Sequence, residues 1–219
     1  FIFTKKNKMD LKKLLLKAIN TSIKGGQAIL KIYETDFDVD YKQDNSPLTI
    51  ADKRCNEIIE SDLMSTSIPI LSEEGKHTDF NERKKWKYLW LVDPLDGTKE
   101  FVKKNGEFTV NIALIKNGKP IIGVIYVPVS GLIYFGMKKL GSFKCKCGNS
   151  SIDDLSSFLK QSKKLPITNY RDTFTIVGSR SHMSIETEMY FLSMKEKHNK
   201  IEILSVGSSL KLCMVAEGK

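Results

Sequence analysis

The sequence predicts a protein of the α/β class, and three observations carry that expectation. Between Met9 and about Glu34 the apolar residues Leu11, Leu14, Leu15, Ala18, Ile19 and Ile23 recur at intervals of three and four, the stripe that an amphipathic helix presents to a core. From Phe108 to Val129 two apolar, β-branched runs flank Asn117-Gly118, a dipeptide that accepts the positive φ angles of a tight hairpin turn. After Thr173 the segments FTIVGS, Ser184 to Lys197, IEILSV and SSLKLCMVAEG alternate between strand-like and helix-like patterns.

Taken in order, the first helix carries Gly25-Gly26, where two permissive residues should weaken its middle. Thr49 is expected to N-cap a second helix, with Asp52 at its third position, Pro47 just upstream and Cys55, Ile58, Ile59 and Leu63 along its apolar side. Ile68 to Leu71 reads as a short strand that delivers Glu73 and Glu74 into a loop, and KYLWLV (Lys87 to Val92) reads as a buried strand. With the Asn-Gly hairpin these strands are assigned to an antiparallel sheet. LIYFGMKKLGSF, from Leu132, looks like a further hairpin, and the polar stretch from Asn149 to Asp172 is expected to be partly mobile. Because the alternation of strand and helix comes only late, a boundary is expected near residue 130. It separates an N-terminal α+β subdomain (1–130), holding the antiparallel sheet and the acidic strand ends, from a C-terminal α/β subdomain (131–219).

The totals bound the function. A chain of 219 residues can bury a core, and 41% hydrophobic with 28% charged residues suits a water-soluble globular protein; no window has the long apolar span of a membrane helix. Cys55, Cys145, Cys147 and Cys213 read as reduced thiols of a cytoplasmic protein, with peripheral attachment to the inner face of a membrane left open. Cys145 and Cys147 are expected to be free thiols on a hairpin rather than metal ligands. FIFTKKNK is too short and too charged for a signal peptide, and Met9 is the more natural start. The net charge of +9 favours anionic partners such as phosphorylated metabolites, but the lysines are scattered, so a nucleic-acid partner is not expected.

Chemistry concentrates at VDPLDGT, residues 92–98. Asp93 and Asp96 close an apolar strand, Pro94 stiffens the turn between them, and the Leu95 carbonyl can point inward as a neutral oxygen ligand. Gly97 lets backbone approach a phosphate, and Thr98 can open a helical turn whose N–H groups face an anion while its hydroxyl holds a water. Two aspartates three apart are more often turn and capping residues. Adding Glu73-Glu74 after one strand and Asp52 at a helix start gives the oxygen-rich set that a hard divalent cation such as Mg²⁺ requires. That places a metal site in the first subdomain.

KQDNSPLTIAD, LSEEG and above all LVDPLDGTKEFVKKNGEFTVNIALI resemble the inositol monophosphatase superfamily of Mg²⁺-dependent, lithium-sensitive phosphatases. GTKEF, VGSRSH and VGSSLKLCMVAEGK resemble its branch of CysQ-type 3'(2'),5'-bisphosphate nucleotidases. The resemblance covers nearly the whole chain. It implies the sugar-phosphatase fold, with alternating helix and sheet layers, and two or three Mg²⁺ held by Glu73, Asp93, Asp96 and the Leu95 carbonyl, with Glu74 nearby. It also implies that Asp52 orients Thr98 and that this pair, with Glu73, serves catalysis on an attacking water. Asp96, Gly97 and Thr98 would contact the scissile phosphate, Ser208 and Lys211 the nucleotide, and Arg180, Ser181 and His182 the same face. The implied reaction takes adenosine 3',5'-bisphosphate to AMP and phosphate, with 3'-phosphoadenylyl sulfate as a second substrate and a link to sulfate assimilation. Members of the family continue to a Trp-Asp motif that completes the metal site, so the C-terminal subdomain ending at Lys219 is expected to be incomplete.

Two other functions remain open at this point: an inositol or sugar monophosphatase, and an inactive basic protein that binds polyanions. A monomer or homodimer acting on a small molecule is expected. His77 and His198 are expected on the surface or in ordinary hydrogen bonds, Trp86 and Trp90 in packing, and Phe101 and Phe108 in the core.

Overall fold

The computed structural model describes residues 9–41, 47–76, 78–148, 150–167, 173–180 and 183–218. Helix α1 (Leu11–Tyr33) starts at Asp10, whose carboxylate accepts from the N–H groups of Lys12 and Lys13. Strands β1 (Val39–Tyr41) and β2 (Pro47–Thr49) form a small antiparallel ribbon leading into helix α2 (Ile50–Met64). The expected cap on α2 is present. The Thr49 hydroxyl accepts from Ala51 N–H, and Asp52 accepts from Thr49 N–H at 2.8 Å, closing a capping box.

Strands β3 (Ile70–Ser72), β4 (Tyr88–Asp96), β5 (Thr109–Lys116), β6 (Lys119–Val127), β7 (Leu132–Met137), β8 (Gly141–Lys146) and β9 (Lys163–Lys164) form one seven-stranded sheet in chain order. The sheet is mixed rather than wholly antiparallel, because β3 runs parallel to β4. Between β3 and β4 lies α3 (Phe80–Arg83), and one turn of helix, α4 (Thr98–Val102), follows β4. The stretch expected to be mobile contains α5 (Leu155–Gln161) and β9; Asn149 and residues 168–172 lie outside the described residues. Beyond it β10 (Phe174–Ser179) pairs in parallel with β11 (Ile201–Val206), connected by α6 (Ile185–Lys197), and α7 (Leu210–Ala216) follows. A division at residue 130 would cut the large sheet between β6 and β7, which are paired from Ile122–Met137 to Val127–Leu132. The change in topology comes instead between Lys164 and Phe174, where the antiparallel ladder ends and parallel pairing begins.

Alternation along the strands sorts side chains to the two faces. Ile122, Val124 and Tyr126 of β6 and Ile133 and Phe135 of β7 join α1 and α2 in the main core. Val127 and Tyr134, on the opposite face, pack against Cys213 of α7. Farther out, Phe191 of α6 lies so close to Gly178 of β10 that an added Cβ would sit 2.7 Å from its ring. Helix, sheet, helix, sheet and helix are thus stacked in layers. Phe101, Phe108 and Trp90 are fully buried, as expected, and the Trp90 indole N–H donates to Thr66 Oγ1. Among the described residues no helix is long and apolar enough to cross a membrane.

Gly25-Gly26 does not interrupt α1. A Cβ at Gly25 would lie 2.7 Å from Cys55 Sγ of α2, and one at Gly26 would overlap the Tyr126 ring of β6. The glycines are contact points that bring α1 against both neighbours. On helix propensity alone Gly26→Ala would add about 1 kcal/mol of stability. Overpacking against a rigid buried ring costs about 1–3 kcal/mol, so the variant is expected to be less stable in urea unfolding.

Asp62 ties α2 to α1. Its carboxylate accepts from Thr21 Oγ1 at 2.6 Å and from the ammonium groups of Lys24 (3.0 Å) and Lys17 (3.1 Å). Burial pushes its pKa up, but these donors outweigh burial and hold it below the usual carboxylate value. A folded pKa below the unfolded one means stability that is present above about pH 4 and lost as pH falls through the folded value. Asp62→Asn should therefore cost on the order of 1–2 kcal/mol at pH 7. In denaturant titrations the difference from the parent protein should shrink steadily below pH 4.

Candidate active site

The acids gather where β4 ends. Strand β4 runs on through Asp93-Pro-Leu-Asp96, where the sequence suggests a turn at the strand's end, but its pairing with β5 slips between Asp93 and Asp96. Proline cannot donate to the ladder, and the irregularity absorbs it. Successive carbonyls then face different partners. Pro94 O accepts from the buried Cys55 thiol at 3.2 Å, and Leu95 O lies 3.2 Å from Thr98 Oγ1.

Asp93 is the most perturbed acid of the group. Burial first, then the charges of Asp96, Glu73 and Asp52, push its pKa to about 7, and the Leu95 N–H offsets this only in part. Its Oδ1 is buried with no hydrogen-bond partner among the described residues. A buried carboxylate oxygen without a donor is costly, and a cation would satisfy it. Asp52, 2% exposed, is also raised, by burial first and by the nearby charge of Glu74. One of its oxygens serves the Thr49 cap, and the other lies 3.2 Å from Thr98 Oγ1. Thr98 thus has two acceptors for one hydroxyl hydrogen, Asp52 Oδ1 and Leu95 O.

Gly97 has φ +91°, and a Cβ there would crowd Ser208 and the Glu107 carbonyl, so the turn into α4 requires glycine. Asp96 is drawn toward α7. Its Oδ2 accepts from Ser208 Oγ at 2.7 Å, from Ser209 N–H at 2.6 Å and from Asn111 Nδ2 at 3.4 Å. Lys211 turns back and donates to Ser208 O at 2.6 Å.

The structure therefore brings together Asp52, Asp93, Leu95, Asp96, Gly97, Thr98 and Ser208, with Lys211 one turn behind. Glu73 sits in the exposed turn after β3, its N–H bonded to Val92 O, close enough for its charge to act on Asp93. Arg180 is engaged elsewhere: its guanidinium makes a two-pronged pair with Glu107 (2.7 and 2.8 Å) and donates to Ser205 O. Ser181, His182 and His77 lie outside the described residues. Among the described residues no three acids, histidines or cysteines are grouped so that they could hold a metal ion as they stand. The charges of Asp96, Glu73 and Asp52 nonetheless act on Asp93, and Cys145 and Cys147 are free thiols.

A profile of the inositol monophosphatase family matches residues 10–219. The chain belongs to that family. Within the inositol monophosphatase family, the 3'(2'),5'-bisphosphate nucleotidase CysQ of Escherichia coli O6:H1 is 41% identical over 198 residues, covering 89% of this chain and 73% of that protein. The CysQ of Buchnera aphidicola is 39% identical over 211 residues, 94% of this chain and 73% of its own length. The crystal structure of CysQ from Bacteroides thetaiotaomicron superposes with a TM-score of 0.87 at 47% identity, covering 97% of this chain and 79% of that one. At 21% identity and a TM-score of 0.71, an inositol monophosphatase from Thermotoga maritima shares the fold, covering 94% of this chain and 73% of that one. The layered α/β fold expected from the resemblance is the fold of this family.

Sequence reasoning missed Glu107, Thr109, Asn111 and Ser209. Asn111 and Thr109 stand in FTVNIALI, where alternation marked a strand but gave no reason for polar residues at its start. Their partners lie about a hundred positions away. Ser208 is held at φ +57°, uncommon for serine, by contacts that only the folded chain supplies. Asp96→Ala would remove the acceptor that fixes the start of α7, leaving part-buried donors unpaired, and should lower the melting temperature by several degrees, roughly 2–3 kcal/mol. Differential scanning calorimetry checks this.

Proposed function

We propose that this chain hydrolyses the 3'-phosphate of adenosine 3',5'-bisphosphate to give AMP and phosphate, with Mg²⁺, and that 3'-phosphoadenylyl sulfate is a second substrate, which would link it to sulfate assimilation. The observation that carries the reading is the buried Asp93 oxygen, without a hydrogen-bond partner among the described residues, among acids whose charges repel, one of which, Asp52, is paired with Thr98. The two CysQ relatives named above, from Escherichia coli and Buchnera aphidicola, are 3'(2'),5'-bisphosphate nucleotidases by name, which supports the substrate class.

Asp93, Asp96, Glu73 and the Leu95 carbonyl would hold the cations, two or three in number. Bound Mg²⁺ supplies a water of lowered pKa and neutralises charge on the transferring phosphoryl group. The rest falls to the chain's own groups. With its hydrogen directed to Asp52 Oδ1, Thr98 Oγ1 has lone pairs to accept from and orient a water. Asp52, raised by burial, is suited to draw the proton that passes through Thr98 as that water bonds to phosphorus. The bond from phosphorus to the ribose 3'-oxygen breaks, and that oxygen leaves as a hydroxyl after taking a proton from solvent. Gly97 and Thr98 border the phosphate, while Ser208 and Lys211 border the nucleotide. The four free cysteines, Cys55, Cys145, Cys147 and Cys213, agree with a cytoplasmic location.

Phosphate release from adenosine 3',5'-bisphosphate should require Mg²⁺ and stop on adding chelator, with inositol 1-phosphate turned over far more slowly. Equal turnover of both substrates would favour the inositol monophosphatase alternative. Thr98→Val should lower kcat by about 10²-fold or more with little change in KM, because it removes a group that acts on the attacking water rather than one that binds the nucleotide. Asp93→Asn should lose activity and gain thermal stability when Mg²⁺ is absent, since it relieves charge repulsion.

A further inference from the structure

We infer that Thr109 is a positioning residue for Asp96, acting through the first turn of α7; this rests on the reading of Asp96 as a cation-binding carboxylate. Thr109 opens β5, is fully buried, and stands directly opposite Asp96 in the β4–β5 ladder. A buried hydroxyl is costly unless bonded. Its Oγ1 lies 2.7 Å from Ser208 Oγ, 2.9 Å from Ser209 Oγ and 3.1 Å from Asn111 Oδ1.

Counting hydrogens gives the network a direction. The Ser208 hydroxyl has one hydrogen and gives it to Asp96 Oδ2, an acceptor-only carboxylate oxygen. Ser208 Oγ is then an acceptor for Thr109 O–H at 2.7 Å, which leaves Thr109 Oγ1 to accept from Ser209 O–H at 2.9 Å; Asn111 Oδ1, 3.1 Å from both hydroxyls, is the competing and longer acceptor for each. Along the shorter bonds Ser209, Thr109 and Ser208 form a relay of hydroxyls pointing at Asp96, each bond strengthening the next, and the longer route through Asn111 ends at the same oxygen, to which Asn111 Nδ2 donates at 3.4 Å. The Ser209 backbone N–H reaches the same Asp96 oxygen at 2.6 Å. Among the described residues no donor reaches the other oxygen, Oδ1. The relay therefore fixes the Asp96 carboxylate by one oxygen and leaves the second for a cation, while restraining Ser208 in its left-handed conformation. Groups that orient a metal-binding carboxylate in this way are worth roughly 10–100-fold in affinity.

Mg²⁺ binding by calorimetry tests this without reference to turnover. Thr109→Val keeps the shape and removes the hydroxyl; it should raise the Mg²⁺ dissociation constant about 10-fold, whereas Thr109→Ser should stay within about twofold of the parent. Ser209→Ala, which removes only the outermost hydroxyl, should weaken binding about threefold and guards against failure of Thr109→Val to fold. Folded Thr109→Val with parental Mg²⁺ affinity overturns the inference, as does equal weakening by Thr109→Ser, which would point to packing of the methyl group. If Thr109→Val does not fold, parental affinity in Ser209→Ala overturns it. Asp96→Asn separates the two levels. If it leaves Mg²⁺ binding intact, the assignment of Asp96 fails and the inference with it; if it weakens binding while the Thr109 and Ser209 variants do not, only the positioning role is lost.

Discussion

Carboxylates half-buried side by side at the end of one strand repel one another and resent the loss of water, and much of this structure serves to keep them there. Asp93 shows the strain most plainly, with its pKa pushed to about 7 by burial and by three acidic neighbours. Each neighbour is anchored by a different element. Asp52 belongs to the α2 cap, Glu73 follows β3 in a turn pinned to Val92 O, and Asp96 is gripped by the start of α7. Charge-assisted hydrogen bonds of this kind contribute roughly 1.5–3 kcal/mol each, enough to offset part of the repulsion but not to satisfy Asp93 Oδ1. On the proposed reading, a cation supplies the remainder.

Helix α7 can grip Asp96 because its far end is tied down as well. Glu217, just beyond its last turn, is 5% exposed and accepts from Tyr134 Oη at 2.5 Å and from Lys144 Nζ at 2.6 Å. Burial and the Glu217 charge keep the Tyr134 proton firmly in place. A third tie runs through Glu107, which pairs with Arg180 and accepts from Gly207 N–H at 2.8 Å, one residue before Ser208. The loop into α7 is thus fixed to the large sheet at Glu107, Thr109 and Asp96, and the helix it starts is fixed to β7 and β8. The parallel pair β10–β11 is held against the rest of the molecule by these polar contacts.

Features whose cause is local could be read from the sequence. The Thr49 cap, the Asn117-Gly118 hairpin, the helical stripe of α1 and the acids at strand ends all follow from spacing over a few residues. What escaped depends on partners distant in the chain. Nothing near Gly25 and Gly26 says that they face Cys55 and Tyr126, so they read as weak points when they are contacts. Arg180 is implied by the resemblance on the nucleotide face, and nothing near it in sequence announces that its guanidinium pairs with Glu107, 73 positions earlier. The mixed sheet escaped because parallel pairing of β3 with β4 is decided by the crossover between them, not by either strand's own pattern.

The charge distribution then gives the candidate site its logic. The chain as a whole carries +9, so an anionic nucleotide is attracted at long range. Close to β4 the sign reverses, because Asp52, Glu73, Asp93 and Asp96 together would repel a phosphate at the distances where binding matters. On the proposed reading, cations must enter before or with the nucleotide, and the same ions that relieve Asp93 turn the cradle from repelling phosphate to holding it. A basic surface alone would bind polyanions indiscriminately. On the same reading the acidic centre would make productive binding conditional on a hard divalent ion, and so would select a phosphate ester over other polyanions.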